Sequence, residues 1–238
     1  MPLPENTRYL VLDTETTGIS EADKACEIGW LEIDEDFNIL NQFESLIDPQ
    51  CMIAPAASGV HGLTLADLKD APTIEEYFSA DDPSCYGHTF DDPCVLIGHK
   101  VSFDYRFVKD YFNVQALLCT LLWSRRLYPD MDNAKLTTMS YALGLPRPTE
   151  AHRVLSDCTT AYYLLRHIAE RTGMRLPQLV EASKEPRMLP TVPFGKHAGK
   201  DWRELPAPYL RWMSEAISDD LDIAFSVKQE IQNRKERK

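Results

Sequence analysis

The apolar run Tyr9-Leu10-Val11-Leu12 passes into Asp13-Thr14-Glu15-Thr16 and closes at Thr17-Gly18. A short apolar run bounded by glycine predicts a buried strand of a parallel or mixed sheet. Residues two apart on an extended chain point the same way, so Asp13 and Glu15 address one site at the strand end. Residues 25–33 and 39–47 pattern as two more strands, joined by the polar hairpin loop 34–38 and ended by Asp48-Pro49.

Beyond this meander the pattern alternates between helix and strand. Residues 52–60 predict a short helix with Pro55 in its first turn, followed by Val60-His61-Gly62-Leu63-Thr64. Thr64 with Asp67, and Thr73 further on, are capping signals for two more helices, the second reaching about Ala80. Residues 81–93 are rich in turn formers, and His88 among their aspartates reads as part of a solvated insertion. Residues 94–98 form a buried strand, with a helix from near Ser102 that carries Asp104 in its first turn. Residues 117–127 read as a strand end and a helix, with Arg125-Arg126 on a solvated face. Residues 136–143 form a helix stopped by Gly144, and Pro146 and Pro148 an extended link. A strong amphipathic helix spans 154–172, with Leu155, Cys158, Ala161, Tyr162, Leu165 and Ile168 on its apolar face and Gly173 at its end. A meander followed by alternating helices and strands predicts an α/β fold with a mixed sheet.

Composition adds bounds. The 238 residues are 44% hydrophobic and 26% charged, values of a globular chain. No apolar run approaches a membrane span, and the start shows no secretory signal. The six cysteines form no C-x-x-C pair, which suits reduced thiols in a cytoplasmic protein. The net charge of −12 argues against a general polyanion binder, but it is unevenly spread. Residues 1–85 carry 18 acidic and 3 basic groups, whereas residues 171–238 carry 10 acidic and 13 basic. A nucleic-acid contact therefore remains open on the middle and C-terminal segments.

Four carboxylates then stand at element ends: Asp13, Glu15, Asp104 and Asp157. His152 precedes the helix of Asp157 by enough to sit in a loop. Five residues apart, His152 and Asp157 are not neighbours on a regular helix, but a loop histidine can reach a fixed aspartate. Clustered carboxylates suit hard divalent cations. Two such cations can clamp the oxygens of a phosphodiester, with a neutral histidine as general base.

In this order the motifs resemble the DEDDh branch of the DnaQ-like 3′–5′ exonucleases. Asp13-Thr14-Glu15-Thr16-Thr17-Gly18 matches the first motif of that family, Gly98-His99-Lys100-Val101-Ser102-Phe103-Asp104 the second, and His152-Arg153-Val154-Leu155-Ser156-Asp157 the third. The Val60–Thr64 segment matches a recurring stretch between the first two, and the likeness covers roughly residues 7–172. It implies a ribonuclease H-like fold and two Mg²⁺ or Mn²⁺ ions. Asp13 would bridge them, Glu15 and Asp157 would complete one site, and Asp104 would act near the other. His152 would deprotonate the attacking water. The backbone of Thr14 to Thr16 and the ring of His61 would position the 3′-terminal nucleotide, with Phe103 beside the next one or in the core. The product would be a nucleoside 5′-monophosphate. Lys100 stands where the family usually has Asn, and would either meet a substrate phosphate or point to solvent.

Residues 173–190 read as a linker and residues 191–238 as a small C-terminal motif with a terminal helix over 219–238 and a basic, frayed end. Gly195, Gly199 and Lys200 do not make a P-loop, because the spacing is one short and no Ser or Thr follows. Phe194, Trp202, Tyr209 and Trp212, interleaved with basic residues, form either a stacking platform for single strands or a small core of their own. This segment is similar to the C-terminal extension of bacterial exonuclease X-type proteins, which act on DNA 3′ ends. Three readings follow: an exodeoxyribonuclease favouring single-stranded DNA, an exoribonuclease on the same fold, or an inactive DNA-binding or polymerase-associated module.

Overall fold

A computed structural model describes residues 3–79, 91–146, 152–217 and 219–237. Most of the 81–93 loop with His88, the Ala80 helix end, Cys85 and Pro148 lie outside the described residues. In chain order the elements are β1 (Arg8–Thr16), β2 (Ala25–Ile33), β3 (Ile39–Leu46), α1 (Pro55–His61), α2 (Leu65–Leu68), α3 (Ile74–Tyr77), β4 (Pro93–Gly98), α4 (Val101–Val108), β5 (Asn113–Cys119), α5 (Thr120–Leu127), α6 (Leu136–Ala142), α7 (Val154–Thr172), α8 (Leu176–Ser183), α9 (Ala207–Ala216) and α10 (Leu221–Glu236).

The five strands form one mixed sheet in the order β3-β2-β1-β4-β5. The meander is antiparallel and β4 and β5 run parallel to β1. Strand alternation divides the core into two layers. Tyr9, Val11, Leu31, Val95 and Ile97 pack against Cys158, Ala161 and Leu165 of α7. Leu10, Leu12, Trp30 and Leu96 pack on the opposite face with Val101 and Val108 of α4. β1 runs four residues past Leu12, so Asp13 and Glu15 lie within the strand and share the α7 face with Val11. β5 begins at Asn113, ahead of the expected start, because sheet pairing with β4 recruits a stretch whose own pattern is weakly apolar.

Residues 173–190 are not a bare linker. They contain α8, whose Leu176, Leu179 and Val180 are buried in the α7 layer. Pro177 sits in the helix's first turn, where a proline is tolerated. After α8 the chain builds a separate small core from Leu189, Val192, Trp202, Leu205, Leu210, Met213, Ile223 and Val227. Trp202 is thus a core residue, its indole N–H donating to the Leu189 carbonyl at 2.8 Å.

Arg125 and Arg126 do not form a solvated face. Arg126 Nε and Nη2 donate to the two carboxylate oxygens of Asp222 at 2.6 and 2.8 Å, with both side chains buried. Arg125 pairs with Asp220. The C-terminal end is likewise tied down at Arg234, which donates to Glu230 at 2.7 Å and to the carbonyls of Trp202, Arg203 and Leu205. No helix among the described residues is long and apolar enough to cross a membrane.

Candidate active site

Two close backbone approaches assemble the site. Gly29 of β2 lies opposite Asp13, and a Cβ there would stand 2.7 Å from Cγ2 of Val154. Only glycine lets the first turn of α7 rest on the sheet, which brings Asp157 to the face that carries Asp13 and Glu15. Gly98, at the end of β4, would place a Cβ 2.8 Å from the Leu12 carbonyl. Its absence lets the following turn deliver α4 alongside β1. Lys100 caps α4 with φ 74°, a left-handed conformation that asparagine tolerates better than most residues. Lysine at this position accepts backbone strain.

Asp104 is buried in the first turn of α4. The N–H and hydroxyl of Thr14 donate to its Oδ1 at 3.1 and 2.8 Å. His152 precedes α7 with φ 60° and is half exposed, its Nδ1 4.0 Å from Oδ2 of Asp157. Glu15, His152 and Asp157 each offer a donor atom within 4.8 Å of the others. Burial pushes the carboxyl of Asp13 well above its ordinary value, helped by the charges of Asp104, Asp157, Glu15 and Glu27. Burial likewise raises Glu15 to about 8, and Asp157 and Glu27 add to the effect. Asp104 rises to about 7 through burial, against the pull of its hydrogen bonds from Thr14 and the charge of Lys100. Burial raises Asp157 too, offset by the imidazole and backbone N–H of His152. All four carboxyls are thus harder to ionise than free ones, and Glu15 and Asp104, at about 8 and about 7, keep protons into the neutral range unless a cation takes their place. An all-oxygen donor set of this kind fits hard divalent cations.

The other expected site residues have distinct places. Thr14 and Thr16 are buried on the α4 face of β1. His61 is buried at the end of α1. Leu63 N–H donates to its Nδ1 at 3.0 Å, so Nε2 carries the proton and faces the Thr16 carbonyl at 3.3 Å. The ring thus props the strand end. Phe103 is half-buried, edge-on to Phe107 at 5.4 Å, with the Arg106 guanidinium 4.5 Å and the Lys100 ammonium 5.8 Å from its ring centre.

Sequence reasoning missed Glu27 and Arg153. Glu27 is buried in β2 and paired in register with Glu15. Arg153 Nε donates to its two oxygens at 2.9 and 3.1 Å, and Nη2 donates at 2.5 Å. This pair clamps the residue after His152 to the sheet. Its one sequence signal is a glutamate inside a largely apolar strand that also carries Glu32, with no partner nearby in sequence.

The model of a family described as Exonuclease matches residues 10–165. The chain belongs to this exonuclease family. It is a hydrolase of the DnaQ-like 3′–5′ type acting on nucleic acid, a class that generally uses divalent metal ions. It is 29% identical over 209 residues to exodeoxyribonuclease 10 of Escherichia coli strain K12, covering 85% of this chain and 89% of the relative. Among solved structures it is similar to exonuclease X in complex with 5′ overhanging duplex DNA, with a TM-score of 0.57 and 27% identity over 74% of this chain and 98% of the other. Escherichia coli exonuclease I in complex with an oligonucleotide gives a TM-score of 0.59 at 19% identity, over 71% and 42% of the two chains, a likeness of fold. The mixed five-stranded sheet is thus that of the ribonuclease H-like exonucleases.

Proposed function

We propose that the protein is a two-metal-ion 3′–5′ exodeoxyribonuclease that removes nucleoside 5′-monophosphates from DNA 3′ ends, with single-stranded DNA favoured. The observation that carries this reading is the convergence of Asp13, Glu15, Asp104 and Asp157 on one strand end, with His152 beside Asp157. Asp13, Glu15 and Asp157 would hold one Mg²⁺ or Mn²⁺, and Asp13 with Asp104 the other. Such ions, when bound, cancel the carboxylate charge and stabilise the charge that a phosphodiester gathers in its transition state.

The chain's own groups do the rest. Water attacks the terminal phosphorus and passes its proton to the imidazole of His152. The bond to the 3′ oxygen of the preceding nucleotide breaks, and that oxygen takes a proton from solvent. His152 is suited to this work because it is half exposed, whereas its anchor Asp157 sits in a rigid helical turn. His61 and Thr14 hold the strand end and Asp104 in place. Lys100 and Phe103 lie where the last phosphates and bases would pass. The names of the relatives favour DNA over RNA.

The test is hydrolysis of matched 5′-labelled DNA and RNA oligonucleotides with Mg²⁺ or with EDTA. A ladder shortening from the DNA 3′ end, absent with EDTA and in Asp13→Ala, is expected. His152→Ala should lower kcat by about 10²- to 10⁴-fold. Shortening of RNA alone would move the substrate class, and no Mg²⁺-dependent cleavage of either would leave a binding module.

A further inference from the structure

A cleft of about 580 Å³ separates the catalytic core from the C-terminal unit. Lys100 and Ser102 of the second motif line one part of it, Arg125 its floor, and Phe194, Trp212 and Ile217 the C-terminal part. Lys100 caps α4, whose first turn carries Asp104, so the cleft reaches the helix end that belongs to the carboxylate cluster. We propose that this cleft and the aromatic face beyond it are the upstream path for a single-stranded nucleic acid whose 3′ end lies at the cluster. The proposal rests on the exonuclease reading and adds a role for residues 191–217.

Two independent observations support it. First, Trp212 is 48% exposed, whereas Trp30, Trp123 and Trp202 are between 1% and 2% exposed. A large aromatic left open to water beside a cleft marks a contact surface. Trp212 continues into Tyr209 at 5.2 Å between ring centres, and Tyr209 into His197 at 4.6 Å. The Tyr209–Trp212 pair is tilted by 39° and His197 meets Tyr209 edge-on, so Tyr209 and His197 brace Trp212, whose exposed ring is the surface on which a base of a single strand can stack. Second, the Lys196 ammonium lies 5.3 Å from the Tyr209 ring centre, which places a cation against an aromatic face. Residues 171–238 have a basic excess in a chain of net charge −12. The acids that line the cleft are already engaged, Asp220 by Arg125 and Asp219 by the Ser102 hydroxyl at 3.2 Å.

The position of Trp212 makes the test direct, because it is the tryptophan that a stacked base would quench. The Asp13→Asn protein is titrated in EDTA with an oligothymidylate of about twelve nucleotides, a length within the usual site sizes. A dye-labelled copy reports binding by anisotropy. Tryptophan emission should fall on binding the oligonucleotide and not on adding thymidine monophosphate. Adding Trp212→Phe should abolish the quench while keeping most of the affinity, and Trp212→Ala should weaken binding roughly five- to hundredfold. Lys196→Ala should reduce the slope of log affinity against log salt by about one. Near-ultraviolet circular dichroism of each variant checks the fold. Binding without quenching, or Trp212→Ala binding as tightly as its parent, overturns the proposal. The unsubstituted protein is assayed for hydrolysis alongside. Quenching without hydrolysis would sink the enzyme reading and leave the strand path standing, and hydrolysis without quenching would do the reverse.

Discussion

Asp13 shows at the scale of one residue how the site trades stability for chemistry. Burial and four neighbouring carboxylates raise its pKa, and Glu15 and Asp104 are raised to about 8 and about 7. In the unfolded chain these groups titrate near 4. The folded state therefore binds more protons between those limits, and the cluster's contribution to stability falls as pH rises from about 5 to 8. The melting temperature of metal-free protein should fall over that range more steeply than that of Asp13→Asn. At pH 8 the substituted protein should be the more stable, and at pH 5 the difference should shrink. Mg²⁺ at about a hundredfold over its Kd should raise the wild-type melting temperature by about 5–10 °C and the variant's by much less. Parallel pH curves for the two proteins would mean that the carboxylates do not share one electrostatic site. Carboxylates at i and i+2 on a strand already pointed to this repulsion. The hydrogen bonds from Thr14 that partly relieve Asp104 come from the packing of α4 on the sheet face, ninety residues away in sequence, which no local pattern records.

At the scale of elements, α7 is the part most legible in sequence and the part whose placement was least so. Its span from Val154 to Thr172 follows from an uninterrupted apolar stripe and a glycine stop, Gly173 at φ 68°. Its seat depends on Gly29 and on the Glu27–Arg153 pair, contacts spanning more than a hundred residues that periodicity cannot reveal. The pair acts on His152, the neighbour of Arg153, whose own left-handed backbone must be held from outside. Glu27→Gln should lower kcat by about tenfold or more and leave KM for a short oligonucleotide nearly unchanged. In a His152→Ala background the same substitution should have little further effect, since residues acting as one unit are non-additive. Additive losses in that double-mutant cycle would make Glu27 a structural support only. α8 escaped notice for a related reason: eight residues carrying a proline read as a linker until Leu176, Leu179 and Val180 find the sheet layer.

At the scale of the whole molecule, the two cores are joined through charge. A run of two arginines on a short helix ordinarily lies in water, and so it reads in sequence. Here Arg126 and Asp222 are 2% and 1% exposed, and they fix α10 against α5. The guanidinium also donates to the carbonyls of Ala182 and Glu185 at the end of α8, and Asp222 accepts the N–H of Arg187 at 2.7 Å. One buried pair thus gathers α5, α8, the 184–188 connection and α10. Replacing one partner strands a charge out of water, so Arg126→Met should destabilise the protein by about 3–5 kcal/mol in urea unfolding. Arg126→Met with Asp222→Asn removes both charges yet keeps an oxygen for the Arg187 N–H. It should recover most of that loss, because a buried ion pair is worth little over a neutral replacement. If the double variant were no more stable than the single, the pair's value would lie in the Ala182 and Glu185 contacts, which both variants lose. If the single variant lost less than about 1 kcal/mol, Asp222 would have to reach water, and the C-terminal unit would not be held rigidly against the core.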